Sequence, residues 1–455
     1  MSARFPDHFV FGAATSAQQI EGGATEGGRG ESIWDRMAAT PSRIKDASNA
    51  AVACDHYHRW REDLALLGEL GVQGYRFSTG WSRVMPTGEG APNAAGLDFY
   101  DALVDGLLAA GITPFLTLNH WDLPQALDEK GGWGSRATVD AFVAYADAVA
   151  TRLGDRVKHW ITHNEPWCVA TLGHENGAHA PGRKDPAEAL RVAHHLLLSH
   201  GRAVPVLRAR SAGAQVGLTT MMTLAMPASD SEADRDAARQ FDGTFNRWFL
   251  DPLFLGRYPA DVIADLARLG KLAAPELPFV KPGDLEAISV PTDFVGINYY
   301  SRAVLRAGEK GVPVGVPQAP PEQLTEMGWE VYPRGLREVL VRVTRDYAPR
   351  AIFVTENGAA FADPAPGADG TIADPRRVDY LRTHLAAALE AIADGAPLAG
   401  YFCWSLMDNW EWAEGYTKRF GLYAVDFETQ RRTPKHSARF YRDVVAARAV
   451  PAVVS

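Results

Sequence analysis

The sequence predicts a closed (β/α)8 barrel whose active site lies at the carboxyl end of its strands. Three observations carry that expectation. Short apolar runs alternate with amphipathic stretches from one end of the chain to the other. There are eight such runs, and polar or aromatic residues of a catalytic kind follow nearly all of them. Strands that alternate with helices imply parallel pairing through right-handed crossovers. Eight units suggest closure, with an open doubly wound sheet as the alternative. Gly27-Gly28-Arg29-Gly30 has neither the spacing nor the context of a strand-to-helix phosphate loop.

The eight strand candidates are Phe9–Ala13, Tyr75–Ser78, Phe115–Asn119, His159–Thr162, Val216–Thr219, Phe294–Asn298, Ile352–Thr355 and Gly400–Trp404. The second follows a helix whose face is Tyr57, Trp60, Leu64, Leu67 and Leu70, spaced by threes and fours. Gly71 sits where a C-terminal cap belongs. The third follows a helix through Leu97, Tyr100, Leu103, Val104 and Leu107, ended by Gly111, and Ile112–Trp121 then reads as a buried strand. Ala307–Pro321 and Ala362–Asp374 are rich in turn residues and read as long loops. Both follow strand candidates, so both are expected at the carboxyl end.

Bulk properties narrow the classes. Length alone suggests two or three domains, but α/β barrels run long, and one catalytic domain over residues 1–455 is expected. With 46% hydrophobic and 22% charged residues the chain can bury a large core without staples. Its 3 Cys show no paired spacing, which fits a reducing compartment. A net charge of -9 disfavours nucleic acid as a partner. No signal peptide and no run long enough to span a membrane is seen, so a cytoplasmic location is expected. Homo-oligomerisation stays open.

The residues that follow the runs carry the functional expectation. Gln18 follows the first and Arg76 lies in the second. His120 and Trp121 end the third, Asn164 and Glu165 the fourth, Asn298 and Tyr300 the sixth. Glu356 and Asn357 end the seventh, and Trp404 the eighth, with Glu411 and Trp412 just beyond. Only the fifth contributes nothing obvious. Singly, each has a bland explanation: a turn at Asn164-Glu165-Pro166 or at Asn357-Gly358, a core histidine, packing tryptophans. A charge flanked by apolar residues inside a strand, as at Arg76, is harder to dismiss. In a parallel barrel all these positions face one mouth.

The chemistry follows by residue type. His194, His195 and His200 share a helical stretch but lack metal-ligand spacing, so no metal and no cofactor is expected. No nucleophile elbow is present. What remains is two carboxylates, Glu165 and Glu356, among Trp, Asn, Gln and His. Tryptophan faces stack on sugar rings, amides and carboxylates bind hydroxyls, and two carboxyls flanking an acetal are the minimal apparatus of glycoside hydrolysis.

Specific motifs carry a resemblance over nearly the whole chain. They are FVFGAATSAQQIEGG (9–23), GRGESIWD (28–35), LGVQGYRFSTGWSRVMPTG (70–88), LNHWDLPQAL (118–127), THNEPW (162–167), GINYYS (296–301), VTENG (354–358), WSLMDNWEWAEGY (404–416) and RFGLYAVDF (419–427). In this order they resemble glycoside hydrolase family 1, the β-glucosidases and β-galactosidases. Gly80 and Gly27 depart from residues common in the family, away from catalytic positions. The resemblance implies a TIM barrel and a retaining mechanism, with Glu165 as acid/base and Glu356 as nucleophile. Arg76 and Tyr300 would stabilise the nucleophile's charge, and Asn298 would support the pair. It places Gln18, His120, Asn164, Glu411 and Trp412 on the glycone hydroxyls and Trp404 beneath the ring. Trp121 and Phe420 would wall the pocket, and Trp167, Leu172 and Trp329 would meet the aglycone.

The substrate expected is a small β-glucoside or short cello-oligosaccharide. Glu at position 165 favours O-glycosides, and the acidic Glu411 disfavours a 6-phosphate. Galactose and fucose stay open as glycones. A non-catalytic sugar-binding relative is the competing class, which the presence of both carboxylates argues against. A transglycosylase using the same intermediate is another.

Overall fold

Eight parallel strands close in sequence order around a lumen filled by aromatic rings. The computed structural model describes residues 4–451. The strands are β1 (Val10–Ala14), β2 (Gly74–Ser78), β3 (Thr113–Asn119), β4 (His159–Asn164), β5 (Gln215–Met221), β6 (Phe294–Asn298), β7 (Ile352–Asn357) and β8 (Leu398–Trp404). Each pairs with its neighbours in sequence, and β8 returns to β1. The open-sheet alternative is thereby excluded.

The outer layer is α1 (His56–Leu70), α2 (Ala94–Ala109), α3 (Ala137–Leu153), α4 (Pro186–Arg210), α5 (Trp248–Leu255), α6 (Pro333–Tyr347), α7 (Pro375–Ala393) and α8 (His436–Ala447). The expected faces are the ones buried: Trp60, Leu67 and Leu70 on α1, and Leu97, Tyr100, Leu103, Val104 and Leu107 on α2. Gly71 takes the left-handed cap conformation with φ 67°. His194, His195 and His200 on α4 are all buried. They bond Tyr258 and Asp284, the Trp133 carbonyl, and Thr162 respectively, so they are structural.

The lumen shows how the sequence closes a ring of this size. Phe115, Phe294, Phe353, Phe402 and Ile161 form a buried cluster inside the barrel. Glycines stand opposite the rings: a Cβ on Gly12 would lie 2.3 Å from the Phe402 ring, and one on Gly217 2.6 Å from Phe294. Small beside large is the condition for filling the barrel without overpacking. Phe402→Ala is expected to destabilise the fold by about 3–5 kcal/mol. Urea unfolding measures it, and a loss below about 1 kcal/mol would show that the lumen collapses into the gap.

Of the two stretches read as loops, Ala307–Pro321 contains a strand. Pro313–Gly315 pairs antiparallel with Arg302–Ala307, which also pairs parallel with Leu224–Pro227. This small sheet brings Val304, Val316 and Gln318 to the barrel mouth. Ala362–Asp374 follows β7 at the carboxyl end but lends no residue to the cavity there. Its ends, Asp363 and Asp374, are tied to Arg377, and Asp363 also to Lys435.

Candidate active site

At the carboxyl end of the barrel lies a cavity of about 650 Å³. Two irregularities in the sheet aim side chains into it. Along β4, Ile161 pairs with Gly217 and Asn164 with Thr219, so β4 holds one extra residue. His163 accordingly turns outward to Ser199 on α4, while Asn164 turns inward to Arg76. Along β7, Val354 pairs with Ile297 and Glu356 with Asn298, again one residue extra. Both Thr355 and Glu356 thereby reach the interior, as their contacts show. Bulges at strand ends are a standard means of re-aiming a side chain.

Glu356 sits in a cationic, donor-rich nest. Its Oε1 accepts from an Arg76 guanidinium N–H at 2.5 Å, and its Oε2 from the Tyr300 hydroxyl at 2.6 Å. Burial raises its carboxyl above the usual range, and Arg76, Tyr300 and Asn298 pull it back. Arg76, wholly buried, also donates to the Thr355 carbonyl and to Asn164 Oδ1. Its charge is therefore fully enclosed by acceptors, the condition under which a buried guanidinium is tolerated.

Glu165 has a poorer set of partners. The Asn298 amide donates to its Oε1 at 2.7 Å, and the Cys168 thiol lies 3.3 Å from its Oε2. Burial, then the charge of Glu356, push its carboxyl up to about 8. The two carboxyls are thus set apart by environment: the one gripped by Arg76 ionises first, and the other keeps its proton. Glu165 adopts left-handed backbone, φ 47°, secured by its N–H to the Thr219 carbonyl. Trp121 and Trp412 at the same mouth share this conformation, φ 70° and 52°. Such strain, about 1–3 kcal/mol each, persists only where surroundings enforce it, and it collects at functional sites.

Around the pair, His120, Trp121, Trp404, Glu411, Trp412 and Phe420 line the inner cavity, and Trp167, Leu172 and Trp329 its outer part. His120 is neutral, because burial and Arg76 hold its pKa well below the usual value. The Asn164 amide donates to its Nε2, so Nδ1 carries the hydrogen. Its ring lies nearly parallel to those of Trp404 and Trp412. Glu411 is pushed up to about 8 by burial and by Glu356. The segment carrying Trp404, Glu411 and Phe420 is anchored by Asp408, which accepts from the Gly421 N–H and the buried Lys435 ammonium. Arg76, Asn164 and Asn298 lie one layer beneath, fully buried.

One expected residue is elsewhere. Gln18 points away from the mouth, into a cluster with Arg29, Ser32 and Asp35. The neighbouring Gln19 points the other way and donates to Asn409 and to Glu411 Oε2 at 3.3 Å. Both sit in a four-residue helix, Ala17–Ile20, that is buried throughout, so no amphipathic cue separates them. We expect Gln19→Ala to lower kcat/KM about 10- to 100-fold through a displaced Glu411. Gln18→Ala should leave it near the parent value while lowering the melting temperature. Steady-state kinetics with thermal melts check both, and the reverse pattern would reassign the pair.

Other contributors carried no signal in the sequence. The fifth strand, which had offered nothing, supplies the Thr219 carbonyl, and Met221 with nearby Thr223 lines the cavity. Phe241 and Phe245 come to the outer wall from a helical segment beyond that strand. Arg302 and Glu330, paired at 2.7 Å, reach it from either side of the small sheet's hairpin.

Comparison with known proteins agrees with this geometry. The family described as glycosyl hydrolase family 1 matches residues 1–450. "Beta-glucosidase A" of Acetivibrio thermocellus is 45% identical, over 97% of this chain and 98% of that protein. A "Bifunctional beta-D-glucosidase/beta-D-fucosidase" of Bifidobacterium breve is 44% identical, over 98% and 99%. The solved family 1 β-glucosidase of Thermotoga maritima in complex with isofagomine lactam superposes with a TM-score of 0.94 at 43% identity, covering 99% of this chain and all of that one.

Proposed function

The chain belongs to glycosyl hydrolase family 1, whose enzymes are retaining glycosidases, and from that premise we propose that it is a β-glucosidase with Glu356 as nucleophile and Glu165 as acid/base. Its substrates are terminal non-reducing β-D-glucosyl residues of short cello-oligosaccharides and of aryl or alkyl glucosides. The observation that carries the assignment of roles is the asymmetry of partners across one cavity. Arg76 and Tyr300 grip Glu356, whereas Glu165 has only Asn298 and a thiol.

The reaction follows from that asymmetry. Ionised Glu356 attacks the anomeric carbon while Glu165 gives its proton to the departing oxygen, so the C–O bond breaks without releasing a bare alkoxide. The ester that forms has no charge on Glu356. The second largest cause of the raised Glu165 pKa then disappears, and the carboxylate can take a proton from the water that hydrolyses the ester. Asn298, bonded to Glu165 and to Thr355 Oγ1, holds the acid/base against β7 through both steps.

An unphosphorylated glycone suits the mouth, where a phosphate would set its charge against ionised Glu356 and could not coexist with an ionised Glu411 without cost. The three cysteines, all free and buried, support a reducing compartment, and we assign the chain to the cytoplasm. The test is a rate comparison over aryl β-glycosides differing by one sugar epimer. The glucoside should give the highest kcat/KM, with the fucoside accepted. A galactoside turned over tenfold faster than the glucoside would overturn the glucosidase assignment.

A further inference from the structure

Cys168 lines the catalytic cavity and is 3% exposed. Its placement is fixed by the backbone: its own N–H bonds the Glu165 carbonyl at 2.9 Å, a single turn that folds the thiol beneath the carboxyl of the same residue. The sulfur then lies 3.3 Å from Glu165 Oε2. The other oxygen, Oε1, is taken by the Asn298 amide, which can only donate. A thiol can donate weakly to a carboxylate and can turn to accept weakly once the carboxyl is protonated. Burial keeps it a thiol, because its pKa lies well above the usual value. Thus the two oxygens of Glu165 have unlike partners, one fixed and one yielding.

We propose that Cys168 is a positioning residue for Glu165: by donating to Oε2 of the carboxylate it helps set the pH at which that group releases and retakes its proton. This rests on Glu165 being the acid/base. Other charged or titratable groups act on Glu165 from the elements around it: Glu356 from β7, Arg76 from β2, Tyr300 beyond β6 and Glu411 beyond β8. Neutral His120 and His179, and the Arg302–Glu330 pair, line the same cavity. None of these is hydrogen-bonded to Oε2; the thiol is.

The test is the pH profile of kcat/KM on an aryl β-glucoside for the full chain and three variants. Cys168→Ala removes the donor and leaves a gap, and Cys168→Val removes it while filling that gap. Both should move the basic limb upward by about half a pH unit, because the ionised form loses a hydrogen bond. Cys168→Ser restores a stronger donor and should bring the limb back to the parent position or below. An unmoved limb in the Ala and Val variants, or a Ser variant that behaves like Val, overturns the proposal. Glu165→Gln in the same assay separates the two levels. If it removes the basic limb while Ala and Val leave that limb in place, only the role of Cys168 fails. If the limb survives in Glu165→Gln, the assignment of Glu165 fails, and the role of Cys168 with it.

Discussion

Glu356→Ala is expected to reduce turnover of an aryl β-glucoside by on the order of 10⁵-fold, the scale on which removal of a covalent nucleophile acts. Binding should persist, because His120, Trp404, Glu411 and Trp412 still line the cavity. The variant leaves a gap beside Arg76, whose guanidinium has lost its carboxylate but keeps Asn164 and the Thr355 carbonyl. A small anion such as azide can occupy that gap and attack the anomeric carbon from the same face. The product should then be an α-glycosyl azide, which NMR identifies, and the rate should rise with azide concentration. Near-parental turnover by the alanine variant would refute the nucleophile assignment outright.

Glu165→Gln is the second large effect, and its signature is a dependence on the leaving group. An alkyl glucoside needs its oxygen protonated as the bond breaks, so its rate should fall about 10³- to 10⁴-fold. A dinitrophenyl glucoside leaves without help, so formation of the glycosyl-enzyme should be nearly unaffected and the intermediate should accumulate as a burst. The same substitution has a consequence for stability with a definite sign. The folded state holds the Glu165 proton up to about 8, whereas the free side chain releases it near 4.5. Across that window the folded state binds more protons than the unfolded one, so stability falls as pH rises and levels off above it. The glutamine variant lacks this penalty. Its melting temperature should match the parent at pH 4 and exceed it at pH 9. An advantage at low pH that vanished at high pH would contradict the raised pKa.

These expectations depend on groups of quite different legibility. The eight strands were readable because strand and helix periods are local properties of the chain, and each run of apolar residues between turn residues had one stable solution. Boundaries moved by one residue at β1, which runs Val10–Ala14 rather than Phe9–Ala13, and by two at β3, β4, β5, β7 and β8. Glu165 and Glu356 were readable because each sits at the end of such a run, beside residues unsuited to a core. Their shared mouth follows from parallel pairing alone.

What the chain order did not contain is how residues distant in sequence meet. Two adjacent glutamines in a wholly buried turn are equivalent until Asn409 and Glu411 arrive on one side and Arg29 and Asp35 on the other. The extra residues in β4 and β7 appear only against the register of β5 and β6, and they decide that Asn164 faces inward while His163 does not. The outer cavity is built from Phe241, Phe245, Val316 and Trp329, which no local pattern links. By itself, then, the sequence determined the eight strands alternating with helices and the two carboxyls at strand ends, because hydrophobic period and strand-end chemistry act over a few residues. The class of bond came with the motifs' resemblance to glycoside hydrolase family 1, and closure of the barrel from the pairing of β8 with β1. The tertiary structure supplied the reason that Glu356 ionises before Glu165, and it alone decided which glutamine meets Glu411 and where the thiol of Cys168 points, because those depend on burial and charge brought together across the barrel.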